Sequence, residues 1–224
     1  MSAVRIMAGG ALLWAAWDYY ANRGRVVPAN IEYDPLPGFN GGGVVQQVTD
    51  AAEAAADYVE GAMARLNLSA MRTITAAMLA NENVQAFLKV IRTGEGTADA
   101  GGYSRLYGGG KFSGYADHPR VKVTAGRWTS TAAGAYQFLS STWDETARIM
   151  GLKDFSPQNQ DLAALGRIAA RGALNDVMRG DFESAVRKCA WEWASLPGSP
   201  YGQPVISWER ARSVFASAGG VAIA

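Results

Sequence analysis

The feature that most constrains this chain is an apolar stripe with a hard stop. Val84, Phe87, Leu88 and Ile91 recur at spacings of three and four, and the pattern ends at Gly94-Glu95-Gly96. That spacing places the four side chains on one face of a helix, which must be buried against other elements. Glycine ends the helix because it reaches backbone conformations that other residues resist. A carboxylate is thereby left at the edge of a packed core, between neighbours too small to cover it. Burial there can raise its pKa and make it a general acid, so Glu95 is the candidate catalytic residue.

The rest of the second part of the chain reads as mainly helical with a small sheet. Residues 97–128 hold glycines, aromatics and the strand-like Val121-Lys122-Val123-Thr124, which predict a small antiparallel ribbon with loops. Ser130 is positioned to cap a helix whose apolar surface comes from Ala132, Ala133, Tyr136, Phe138, Leu139 and Trp143. Further helices are expected over roughly 157–171, 173–178, 181–194 and 207–217. The fold class is therefore α+β: a helical domain over 81–220 with a small antiparallel sheet, preceded by a helical N-terminal arm.

The first eighty residues carry no catalytic spacing. Residues 1–25 hold an apolar run from Ile6 to Trp17, flanked by Arg5 and by Arg23 and Arg25. At 1.5 Å per residue such a run spans about 18 Å, short of the roughly 30 Å hydrocarbon core of a bilayer. It reads as a short helix, with a leader, an anchor and a packing helix as the alternatives. Residues 26–49 carry Pro28, Pro35, Pro37 and a glycine cluster without periodicity and read as a linker. Residues 50–80 are rich in alanine and acids and read as a helical arm, with Ser69 capping a second helix toward Met78.

Charge separates the two parts. Residues 82–224 hold 16 Lys and Arg against 13 Asp and Glu, whereas residues 1–81 hold 5 against 7. A mildly basic second part suits an anionic wall polymer, while the net charge of +1 gives no argument for nucleic acid. Cys189 is the only cysteine and His118 the only histidine, which excludes an intrachain disulfide and a His-rich metal site. No metal and no cofactor is expected.

Several segments offer groups that suit sugar binding. The stretch Gly101-Gly102-Tyr103-Ser104-Arg105-Leu106-Tyr107-Gly108-Gly109-Gly110 combines open backbone with aromatic faces. Ser130 through Phe138 puts small residues before Tyr136 and Gln137, whose donors suit hydroxyl and acetamido groups. Trp191-Glu192-Trp193 precedes the tight loop Gly198 to Gln203, which offers Tyr201 and Gln203. Asp117-His118-Pro119-Arg120 reads as a turn held by Asp117, shaping the loop over the cleft. Asp117 and Glu192 are the candidate second acids if the reaction needs one.

From about Val84 to Gly220 the chain resembles the lambda-type bacteriophage endolysins. The resemblance rests on Glu95-Gly96-Thr97, on Phe112 to Tyr115 with Asp117-His118-Pro119-Arg120, on Ser130 to Gln137, on Gly151 to Pro157, on Arg171-Gly172-Ala173-Leu174, on Arg179-Gly180-Asp181, and on Trp193 to Gly198 with Tyr201-Gly202-Gln203. It implies a lysozyme-like fold and a lytic transglycosylase that cuts the β-1,4 bond between N-acetylmuramic acid and N-acetylglucosamine in bacterial peptidoglycan. It also implies that Glu95 is the acid, that Tyr136 and Gln137 line the cleft, and that Tyr103, Gly108 and Gly109 border the glycan groove. The family often has an acid just after the tyrosine matching Tyr103, where Ser104 stands here.

The resemblance places the action in the periplasm or cell envelope. The arm of residues 1–80 would then serve attachment to other phage particle proteins or to the inner membrane. The rival readings are a hydrolytic muramidase using a second acid, and a glycan-binding or virion structural module without catalysis.

Overall fold

Asn81 starts the helix on which the domain is built, because its side chain accepts the backbone N–H of Val84 at 3.1 Å. In the computed structural model this helix, α1, spans Glu82–Gly94 and buries Val84, Ala86, Phe87, Leu88, Val90 and Ile91. Each fully buried Phe, Leu or Ile contributes about 1.5–3 kcal/mol of hydrophobic stabilisation, so the stripe anchors the core. The structure describes residues 67–125, 128–202 and 204–223. The readings for residues 1–25, 26–49 and 50–66 lie outside these, as does Gln203.

Among the described residues the other α-helices are α2 (Ser140–Met150), α3 (Pro157–Ala170), α4 (Leu174–Arg179), α5 (Phe182–Cys189) and α6 (Trp208–Ser217). Pro157 opens α3 where its missing N–H costs nothing. Along α3 every residue from Ala163 to Ala170 is buried, so neighbours pack on all its sides. A Cβ on Gly166 would meet the Met150 sulfur at 2.4 Å. Helix α1 packs against α6, α4 and α3, while α2 lies against α3.

Among the described residues the sheet is one antiparallel pair. β1 (Val123–Ala125) and β2 (Trp128–Ser130) align Val123 with Ser130, Thr124 with Thr129 and Ala125 with Trp128. The ribbon thus sits slightly later than Val121 to Thr124. This is the expected architecture: a mainly helical domain with a small antiparallel sheet.

Three local expectations are corrected. Ser130 caps no helix, because its hydroxyl accepts the N–H of Ala132 at 3.1 Å within a turn. Residues 131–139 form a loop in which Ala133 pairs with Phe138, and Gly134 and Gln137 turn the chain at φ of 78° and 49°. Helix α2 starts only at Ser140, whose N–H is taken by the Thr131 hydroxyl at 3.1 Å. The second helix expected from Ser69 is instead two 3-10 stretches, Leu68–Thr73 and Ala76–Ala80. Thr73 bonds back to the Ala70 carbonyl and Ile74 turns extended, which interrupts any longer helix. These stretches pack on α3 and α1, with Met71 wholly buried.

The third correction concerns 181–194, where α5 ends at Cys189. Residues 190–199 run on as turns, with Leu196 bonded to the Trp193 carbonyl and Ser199 to the Leu196 carbonyl. Trp193 is drawn inward, 4% exposed, and its indole N–H donates to the Tyr136 carbonyl at 3.3 Å. This turn reaches across to the end of α1.

Candidate active site

The C-terminus of α1 delivers Glu95. Its backbone N–H still bonds to the Ile91 carbonyl at 2.9 Å, and Gly96 then breaks the helix at φ 70°. Thr97 locks the break by donating its hydroxyl to the Ala135 carbonyl. The Glu95 side chain is half-buried, and Ser195, 100 positions later in the chain, donates its hydroxyl to Oε1 at 2.6 Å. Burial pushes the Glu95 carboxyl up to about 7, against the smaller opposing pull of the Ser195 hydrogen bond. Near neutral pH the group therefore holds a transferable proton, which is what general-acid chemistry needs.

Gly94 makes room for that contact. A Cβ there would lie 2.5 Å from the Ser195 hydroxyl and 3.1 Å from its Cβ. Helix propensity alone favours alanine over glycine by about 1 kcal/mol, so Gly94→Ala pits local helix preference against the site. The short Ser195 side chain can rotate away, so the fold survives and the Ser195–Glu95 bond does not. The expected result is a variant with a wild-type melting temperature and several-fold lower activity. Wild-type activity, measured by turbidity loss of purified sacculi, would show that the contact is dispensable.

The two candidate second acids are committed elsewhere. Glu192 is enclosed by Arg167 and Arg171, with contacts of 2.6 Å and 2.8 Å, and the three side chains are 9%, 5% and 7% exposed. Arg167 also holds Glu145 at 2.9 Å. Burial by itself would raise the Glu192 pKa, but the two guanidinium charges and their hydrogen bonds outweigh it and hold the carboxyl below its ordinary value. Asp117 stays largely in water and accepts from the His118 N–H at 2.7 Å, the Trp143 indole at 3.2 Å and Arg120 at 2.8 Å. These bonds outweigh its slight desolvation and lower its pKa. It is the turn-holder of the 117–120 loop.

His118 is part of the same buttress. Its ring nitrogens face the Phe138 carbonyl at 2.9 Å and the Arg120 N–H at 3.1 Å, which fits a neutral ring with the proton on Nε2. Desolvation lowers its pKa and keeps it neutral. With both nitrogens engaged by backbone, it has none left to activate Cys189, whose thiol is buried and pushed well up by desolvation.

The other candidate residues separate by burial. Tyr103, Gln137 and Tyr201 keep part of their surface in water, whereas Ser130 and Tyr136 are 3% and 2% exposed. Tyr103 and Tyr136 both donate to Asp161, at 2.8 Å and 2.6 Å. Gln137 holds its left-handed backbone by donating its side-chain amide to the Gly134 and Arg105 carbonyls. Tyr201 donates its hydroxyl to the Trp191 carbonyl at 2.9 Å, fixing the loop after Pro197. Ser195, Asp161 and Arg92 were missed by sequence reasoning. Only Ser195 lies in a singled-out segment, Trp193 to Gly198, and nothing in that segment marks the serine itself.

A helical domain with a small ribbon and a glutamate of raised pKa at a helix end is the arrangement of a lysozyme-like fold. The Endolysin family matches residues 85–222. The endolysin of Escherichia phage lambda is 43% identical over 147 residues, which is 62% of this chain and 93% of that protein. The endolysin of Escherichia phage P2 is 40% identical over 157 residues, 63% of this chain and 95% of its own length. The solved structure of bacteriophage lambda lysozyme complexed with a chitohexasaccharide matches with a TM-score of 0.61 at 41% identity, covering 64% of this chain and 97% of that one. This chain belongs to the endolysin family. Its activity is that of a peptidoglycan lytic transglycosylase, exerted on the bacterial cell envelope.

Proposed function

We propose that Glu95 is the sole acid–base group of this transglycosylase. The protonated carboxyl donates to the glycosidic oxygen between N-acetylmuramic acid and N-acetylglucosamine as the C1–O bond breaks. The acetamido oxygen of the muramoyl residue relieves the positive charge that develops at C1. Its C6 hydroxyl then bonds to C1 and returns its proton to Glu95, leaving a 1,6-anhydromuramoyl end and consuming no water. One carboxyl group serves both proton transfers.

The observation that carries this reading is the contrast among the carboxylates. Glu95 meets a neutral hydroxyl and is raised toward neutrality, while Asp117 and Glu192 meet guanidinium groups and are held ionised. An inverting hydrolase needs a second, free carboxylate about 6.5–9.5 Å away to activate water, and neither candidate is free for that role. Mass spectrometry of digested sacculi is the test: anhydro ends are expected, and reducing ends in their place would make the enzyme a muramidase. Sacculi bound without release of soluble fragments would make it a binding module.

Because the acid must be protonated, turnover should fall as pH rises through about 7, the value to which burial lifts Glu95. An activity profile flat from pH 5.5 to 8.5, about one and a half units either side of that value, would contradict the role.

For the glycan, Tyr103, Gln137 and Tyr201 supply partly exposed surface, and Gln203 follows Tyr201 by two positions in the sequence. Ser130 and Tyr136 act from beneath by holding the 130–138 loop in shape. The lambda lysozyme was solved with a chitohexasaccharide, and a β-1,4 chain of N-acetylhexosamines is the substrate shape this arrangement suits. Residues 1–80 serve attachment, bringing the domain to other phage particle proteins or to the inner membrane. Among the described residues no helix is long and apolar enough to cross a membrane. Fractionation of infected cells and purified particles separates particle attachment from inner-membrane tethering.

A further inference from the structure

We infer that Asp161 is the positioning residue of the proton donor, a single carboxylate that ties together the three segments meeting at Glu95. This rests on the role proposed for Glu95.

Two of the ties run through one oxygen. Asp161 Oδ1 accepts from the Tyr136 hydroxyl at 2.6 Å and from the Tyr103 hydroxyl at 2.8 Å. Tyr103 in turn accepts from Nη1 of Arg92 at 3.1 Å, and Arg92 stands three residues before Glu95 on α1. This is the first tie, from Asp161 to the end of the helix that carries the acid. The second runs through Tyr136, whose carbonyl accepts the Trp193 indole N–H at 3.3 Å. Trp193 begins the turn that carries Ser195, and Ser195 donates to Glu95 at 2.6 Å.

The residue before Asp161 on α3 makes the third tie. Gln160 is wholly buried, accepts from the Ala135 N–H at 2.8 Å and donates to the Tyr103 carbonyl at 3.0 Å. Ala135 receives the Thr97 hydroxyl just beyond Glu95. Two consecutive side chains of the most buried helix thus fix the 102–104 stretch, the 134–137 turn and the Ser195 turn around the acid. Helix α3 is the common reference for all three.

Asp161 is half-buried and faced by Tyr103, Tyr136 and, one step further, Arg92. Desolvation raises its pKa, and the two phenols and the Arg92 charge offset part of that rise. Glu95 is faced by the uncharged Ser195. Misplacing a reacting group by about 1 Å costs on the order of 10²-fold in rate, so loosening this scaffold should show in turnover.

The test compares Asp161→Leu, Asp161→Asn and Tyr136→Phe with the wild type in steady-state turnover of soluble glycan strands, normalised to folded protein. Asp161→Leu removes the shared acceptor and should lower kcat about 10–100-fold with KM nearly unchanged. It should also move the alkaline limb of the pH profile upward, because a weakened Ser195 bond no longer pulls the Glu95 pKa down. Asp161→Asn keeps an acceptor oxygen and should recover most of the rate. Tyr136→Phe cuts one tie and should fall between, which keeps the test decisive if the leucine variant does not fold. Unchanged kcat and an unmoved limb in folded variants would overturn the inference, as would an asparagine variant no better than leucine. An active Glu95→Gln control would remove the reading beneath it, whereas an inactive control with an unaltered Asp161 series would overturn this inference alone.

Discussion

Glu95→Gln should leave a folded protein that releases no detectable anhydromuropeptides. Glutamine keeps the size of the side chain and an oxygen that can accept from Ser195, so the 2.6 Å contact can be retained. It has no proton of useful acidity to give. Acid–base help of this kind is worth about 10²–10⁴-fold, and here the same group is asked to serve both proton transfers, so the loss should reach the upper end. Chromatography of digested sacculi measures it, and undiminished release of the same products would end the assignment.

The same substitution should change stability in the opposite direction. Glu95 has a folded pKa of about 7 against an ordinary value of 4.5, so the folded state prefers its neutral form. Its ionisation then costs nothing in acid, and a penalty grows as pH rises from 4.5 and is complete above 7. Glutamine never ionises and escapes the penalty. At pH 8 the variant should be more stable by on the order of 1–3 kcal/mol, allowing for the partial exposure of the site, and at pH 4 it should match the wild type. Equal stability of the two proteins at both pH values would show that burial does not strain this carboxylate.

Glu192→Gln is expected to do the reverse: a large loss of stability with turnover retained in the folded molecules. The substitution leaves Arg167 and Arg171 buried with their shared counterion gone, while Arg167 keeps its contact with Glu145. Breaking one partner of a buried ionic cluster costs about 3–5 kcal/mol. In a domain of this size that lowers the melting temperature by roughly 6–20 °C. Glu192 is held below its ordinary value of 4.5, so its contribution is present above that pH and is lost as pH falls through the folded pKa. In thermal melts the gap between variant and wild type should therefore narrow as pH falls below 4.5. Full stability with lost catalysis would make Glu192 the second acid of a hydrolase.

These predictions show how unevenly the site could be read from the chain. The end of α1 was legible because apolar periodicity and a glycine pair are local signals, and they put Glu95 at the rim of the core. Helices α3, α4 and α6 were legible for the same reason. The 130–139 loop was not. Its alanines and aromatics suit a helix, but Gly134 and Gln137 take left-handed backbone conformations and two hydroxyls divert the N–H groups of Ala132 and Ser140. Tyr136 looked like a groove residue and sits 2% exposed, with its ring in the core and only its hydroxyl and carbonyl in use.

Sequence by itself determined that the chain would build a helical domain with a small ribbon, and that a carboxylate would close its first long helix. Only the tertiary structure decided which glutamate holds a proton. Glu95 and Glu192 each stand beside small or aromatic neighbours in the chain, and nothing adjacent to either sets its charge. Glu95 receives a hydroxyl from a residue 100 positions away, and Glu192 receives two guanidinium groups from 21 and 25 positions away. Desolvation and hydrogen bonding act over a few ångströms of space, whatever the separation along the chain. The acid is therefore defined by folding, which seats one carboxyl against a neutral donor and the other between fixed cations.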